Sequence, residues 1–134
     1  MSSTAMPAND QSPDPLRILI VEDSLAERFR LSEILKREGF EITGEIGSAE
    51  EAQEQLIANS TEEPLLDLVL VDLRLPGMDG IELCRMFKRD PRYQHVPLIM
   101  VTGEESTAQL ERAYDAGVVD FIKKPFNRIE SGRR

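Results

Sequence analysis

Apolar runs alternate with helix-forming stretches along most of this chain. "RILIV" (17–21) is a short apolar run and predicts a strand. Ser24 and Glu27 stand at capping-box spacing and open a helix to about Glu38, which Gly39 ends. "FEITGEI" (40–46) alternates apolar and polar positions, the pattern of a half-exposed strand. Ser48 and Glu51 repeat the capping spacing and predict a second helix to about Asn59. "LDLVLV" (66–71) reads as the third strand. Asp79 and Glu82 open a third helix to about Arg89, where Asp90-Pro91 stops it. "PLIMVT" (97–102) is the fourth strand, and Ser106 and Gln109 start a fourth helix closed by Gly117. "VVDFI" (118–122) is the fifth strand.

Strand and helix alternate throughout, so the chain predicts an α/β fold: a parallel sheet with helices on both faces. Strands one, three and four are continuously apolar and belong in the centre. Strand two alternates and strand five carries Asp120, so both suit the edges. Crossovers between parallel strands are right-handed. The order 2-1-3-4-5 meets these conditions and is the flavodoxin-like, doubly wound one. Residues 1–15, "MSSTAMPANDQSPDP", are small, polar and proline-rich and read as a disordered tail. The folded unit is expected over 16–126.

The full length of 134 residues fits one domain able to bury a core without staples. The net charge of -9 argues against this segment gripping nucleic acid by itself. No apolar run approaches the roughly 20 residues of a membrane helix, and no secretory leader is visible. The single cysteine, Cys84, suits a reducing cytosol, and its helix position beside Ile81 and Phe87 makes it a buried small hydrophobe. One histidine, His95, leaves no His/Cys cluster for zinc, so any metal must be held by oxygen.

The candidate chemistry lies at the strand ends. In a sheet of this order, ligands bind beyond the carboxyl ends of the strands. Strand one ends in Glu22-Asp23, strand three in Asp72, strand four in Thr102-Gly103, and strand five runs into Lys123-Lys124-Pro125. Three carboxylates in one crevice repel one another. A hard cation relieves that repulsion, and oxygen ligation with few carboxylates suits Mg²⁺. Mg²⁺ so held keeps positions open for phosphate oxygens, and a carboxylate can act as nucleophile to form an aspartyl-phosphate.

"ILIVEDS", "LVLVDLRLPGMDG", "PLIMVTGEE" and "FIKKPF", in this order and at these strand ends, resemble the response-regulator receiver domain of two-component signalling. The resemblance spans about residues 16–126. It implies that Asp72 is the phosphoacceptor, that Asp23 and Asp72 bind Mg²⁺ directly, and that Glu22 acts through metal-bound water. It implies that Arg74 lends its backbone carbonyl to the metal, that Thr102 gives its hydroxyl to the phosphoryl group, and that Lys124 pairs with the phosphoryl oxygens. Phe121 sits where the family keeps a switching aromatic, and it also reads as core. Lys123 is expected to face solvent. The implied phosphodonor is a histidine kinase or a histidine phosphotransfer protein. The implied target is a downstream protein or effector domain. The domain would be a signalling module in the cytoplasm rather than an enzyme, promoting only its own phosphorylation and dephosphorylation.

Three points depart from the simplest reading. After "KPF" only "NRIESGRR" remains, too short for the family's fifth helix. Residues 127–134 are therefore expected to be a tail, a linker or the start of a truncated helix. A close alternative makes this chain the N-terminal receiver of a multidomain regulator. A further alternative is a Mg²⁺-dependent phosphatase of the haloacid-dehalogenase type, which needs a second acid where Arg74 stands. Lastly, Arg74 and Glu104 lie two positions after Asp72 and Thr102. Paired across the mouth, they would shield the phosphoryl group from water and lengthen its life.

Overall fold

The computed structural model describes residues 14–57, 66–103 and 106–124. Strand β1 (Arg17–Val21) leads to helix α1 (Leu25–Arg37), then to strand β2 (Glu41–Ile46) and helix α2 (Ala49–Ala52). A π-helical turn, Gln53–Ile57, continues α2. Strand β3 (Leu68–Asp72), helix α3 (Gly80–Arg89), strand β4 (Leu98–Thr102), helix α4 (Thr107–Asp115) and strand β5 (Val118–Lys123) follow. The five strands form one parallel sheet in the order β2-β1-β3-β4-β5, the expected 2-1-3-4-5.

The helix starts are where the side chains place them. Ser24, Ser48, Asp79 and Ser106 each accept the backbone N–H three residues on, satisfying one orphan donor at each helix start. Some boundaries differ from the sequence pattern. β3 begins at Leu68 rather than at residue 66, and it includes Asp72. β5 continues through Lys123. The α-helical part of α2 stops at Ala52, and the expected end near Asn59 lies outside the described residues. So does everything from Pro125 on, including the expected truncation of a fifth helix.

Alternation along each strand sends side chains to the two sheet faces. Leu19, Val21, Val69, Val71, Leu98 and Met100 pack with Ala52, Ile81, Cys84, Phe87 and Ala113 from the helices on one side. Ile18, Ile20, Leu70 and Val101 pack with Leu31 of α1 on the other, with Ile34 and Leu35 beside them. Full burial of one such side chain contributes about 1.5–3 kcal/mol. Phe87 is fully buried and meets Tyr93 edge-on at 5.5 Å between centroids. The central strands are buried nearly throughout, whereas β2 exposes Glu41, Thr43 and Glu45, and β5 exposes Val119, Asp120 and Lys123. Charge on both edges discourages pairing with another sheet. Among the described residues no helix is long and apolar enough to cross a membrane.

Candidate functional site

Strand register gathers the site. Val21 pairs with Val71, so Glu22 and Asp72, each one residue further on, stand at neighbouring strand ends. Asp72 pairs with Val101, and Thr102 pairs with Lys123, so Thr102 and Lys124 extend the same row. One carboxylate oxygen from each of Glu22, Asp23 and Asp72 lies within 4.8 Å of the others. Glu22 and Asp72 are only 1% and 4% exposed, while Asp23 is open to solvent. Lys124 Nζ donates to Asp72 Oδ2 at 3.1 Å and lies 3.4 Å from Glu22 Oε1. That second contact is an ion pair without hydrogen-bond geometry, so Oε1 is buried and lacks a hydrogen-bond donor.

The backbone holds these groups in place. Asp72 Oδ1 accepts the Arg74 N–H at 3.1 Å. Glu22 Oε2 accepts the Ser24 N–H at 3.0 Å, the donor that Glu27 would take in a complete capping box. Arg28, on α1, donates from Nη1 to the Glu22 carbonyl at 2.8 Å. The N-terminus of α3 presses on the end of β3: a Cβ on Gly80 would sit 2.3 Å from the Asp72 carbonyl oxygen. Only glycine allows that approach. Sequence reasoning did not assign Arg28 or Gly80. Gly80 closes the quoted "LPGMDG" run, but its contact with Asp72 depends on the approach of helix to strand.

One lysine does not balance three carboxylates. Burial pushes the Glu22 carboxyl up to about 7, and the neighbouring Asp72 charge adds to it against the Ser24 hydrogen bond and Lys124. Burial also opposes the charge on Lys124, yet Asp72 and then Glu22 outweigh it and raise its pKa. The orphaned Glu22 oxygen and the raised Glu22 pKa both mark unmet demand for positive charge. An all-oxygen donor set with an open side fits a hard divalent cation such as Mg²⁺.

The remaining predicted residues fall as follows. Thr102 is 5% exposed, and its hydroxyl donates to the Gly103 carbonyl at 3.3 Å. Arg74 is exposed beside Asp72. Glu104, its expected gate partner, lies outside the described residues. Phe121 is half-buried against the core and meets Tyr114 edge-on at 5.0 Å. Cys84 is buried, and burial pushes its thiol up to about 12, an unreactive state. Lys123 is exposed.

The doubly wound sheet, with buried Asp72, the Glu22-Asp23 pair and Lys124 at its carboxyl ends, agrees with the resemblance to receiver domains. The family model for the response regulator receiver domain matches residues 18–131, and the chain belongs to that family, the receivers of two-component signalling. It is similar to the DNA-binding response regulator MtrA of Mycobacterium tuberculosis, with 37% identity over 114 residues, covering 85% of this chain and 46% of MtrA. Among solved structures it resembles a CheY-like receiver domain protein from Methanospirillum hungatei, with 32% identity and a TM-score of 0.69 over 87% of this chain and 86% of that one. It also resembles a chain of the CheX–CheY–BeF3–Mg complex from Borrelia burgdorferi, with 27% identity and a TM-score of 0.75 over 89% and 85%. The chain spans less than half the length of MtrA. MtrA is a DNA-binding regulator, so the expectation from net charge that no nucleic acid is contacted directly is not supported.

Proposed function

We propose that Asp72 accepts a phosphoryl group from a phosphohistidine on a histidine kinase or histidine phosphotransfer protein. The observation that carries this reading is the burial of Asp72, with Lys124 at 3.1 Å and oxygens of Glu22 and Asp23 within 4.8 Å of one of its own. In the transfer, an Asp72 carboxylate oxygen forms the new bond to phosphorus. The bond from phosphorus to the donor imidazole nitrogen breaks, and the histidine leaves with that electron pair. Lys124, already bonded to Asp72 Oδ2, follows the negative charge onto the phosphoryl oxygens. The Thr102 hydroxyl leaves the Gly103 carbonyl to donate to a phosphoryl oxygen, drawing the end of β4 inward. Phe121 then turns inward and changes the surface around α4, a two-state response to a local contact.

Asp23, Asp72 and the Arg74 carbonyl are the groups that would hold Mg²⁺, with Glu22 reaching it through water. When bound, the cation supplies charge that offsets the acidic cluster and the incoming phosphoryl oxygens. The test is labelling of the protein by acetyl phosphate with Mg²⁺ and again in excess chelator. Labelling is expected only with Mg²⁺; equal labelling in both contradicts this role of the cluster.

The length relation to MtrA favours one elaboration: the domain acts as the receiver of a multidomain regulator and passes its state to an effector domain. The phosphatase alternative gains no support. Arg74 stands where such an enzyme needs a second acid, and its N–H serves to hold Asp72. The cytoplasm, where histidine kinases present their phosphohistidine, is the compartment this reading requires.

A further inference from the structure

We infer that Glu50 is a positioning residue for the phosphoacceptor, acting as a latch on the loop that follows Asp72. The inference deepens the reading of Asp72 given above and rests on it. Glu50 lies in the first turn of α2, and its exposed carboxylate crosses to the β3–α3 loop. There Oε2 accepts the Met78 N–H at 3.1 Å, 28 residues away in sequence. A second observation points to the same contact. Gly77 has a φ of 77°, in the left-handed region, and a Cβ added there would lie 2.5 Å from Glu50 Oε2. The loop backbone therefore leaves space that the carboxylate fills. The neighbouring Glu51 is engaged locally, with Gly47 and Gln55, so Glu50 alone of the two reaches the loop.

The latch matters because of what the loop carries. Residues 73–79 join Asp72 to α3. Their first end is tied by the Arg74 N–H on Asp72 Oδ1, and the loop is closed by the Gly80 N–H on the Leu73 carbonyl at 3.0 Å. Between these two ties, Glu50 holds the middle. Releasing it frees the segment that fixes one oxygen of Asp72 and that carries the Arg74 carbonyl. The π-helical turn that continues α2 is also anchored, since the Leu56 carbonyl accepts from Arg92 Nη2 and the Tyr93 hydroxyl. A latch needs such a fixed base.

The test compares wild type, Glu50→Ala and Glu50→Gln. Glutamine loses the charge but keeps an oxygen that can accept from Met78, so it separates the bond from the charge. The first readout needs no metal: amide hydrogen exchange at Met78, measured in chelator. Glu50→Ala is expected to speed it by about three- to tenfold, the net worth of one hydrogen bond, and Glu50→Gln to stay near wild type. The second readout is Mg²⁺ affinity by NMR titration, expected to fall by a similar factor in Glu50→Ala and to be restored in Glu50→Gln. Equal losses in both variants would assign the effect to charge and overturn the latch. Unchanged Met78 exchange in Glu50→Ala, or a lowered melting temperature with unchanged Mg²⁺ affinity, would overturn it as well. Wild-type labelling by acetyl phosphate, run alongside, tests the parent reading separately, because the exchange readout stands without it.

Discussion

Replacing Asp23 with alanine is expected to weaken Mg²⁺ binding by at least about 100-fold, beyond what loss of a mere supporting contact costs. Phosphoryl uptake should fall with it. Of the three converging carboxylates, Asp23 alone is exposed. Glu22 and Asp72 are buried, and the ammonium of Lys124 already lies against both. An incoming hydrated cation therefore meets Asp23 first. Mg²⁺ gives up its water reluctantly and takes few protein ligands, so the loss of one is not made good by neighbours. The chain has no tryptophan to report binding, so calorimetry or NMR serves. Asp23→Ala with wild-type affinity would remove Asp23 from the ligand set.

The second large effect concerns stability and has the opposite sign. Glu22→Gln is expected to stabilise the metal-free domain at neutral pH while weakening Mg²⁺ binding. The folded protein holds the Glu22 carboxyl at about 7, above its ordinary 4.5, because burial and Asp72 disfavour its charge. The folded state therefore binds this proton more tightly than the unfolded state does. The contribution is full below about pH 4.5 and is lost as pH rises towards about 7. At neutral pH and above, the ionised group costs on the order of 3 kcal/mol, at 1.36 kcal/mol per pKa unit. Glutamine keeps an acceptor for the Ser24 N–H and removes the charge. Melting curves in chelator should show the wild type losing stability across this window and Glu22→Gln losing less. Parallel pH profiles for the two proteins would contradict the assignment.

Much of this was legible in the sequence because it is local. The capping pairs Ser24/Glu27, Ser48/Glu51, Asp79/Glu82 and Ser106/Gln109 lie three residues apart, and each start appears where the pair predicts it. The strand order followed from which runs were continuously apolar. Once that order is known, the strand ends bring together Glu22, Asp23, Asp72, Thr102 and the Lys123-Lys124 pair, and the resemblance to receiver domains selects Lys124. The groups that hold them in place were not legible. Arg28 reaches the Glu22 carbonyl from within α1, and Glu50 reaches Met78 across 28 residues. Neither contact has a sequence period. Gly80 was readable as a helix start but not as the point where α3 comes so close to the Asp72 carbonyl that a Cβ would not fit, since that approach is set by packing. The π-helical turn after Ala52 escaped for a similar reason: "QEQLI" carries nothing in its composition that asks for the wider turn.

The central claim is that Asp72 itself takes the phosphoryl group, and intact mass after incubation with acetyl phosphate and Mg²⁺ tests it most directly. Wild type is expected to gain one phosphoryl mass, and peptide mapping should place it on the segment containing Asp72. Asp72→Asn keeps the shape of the side chain and an oxygen for the Arg74 N–H, so it should fold and gain nothing. A folded Asp72→Asn variant labelled at the wild-type rate would contradict the account.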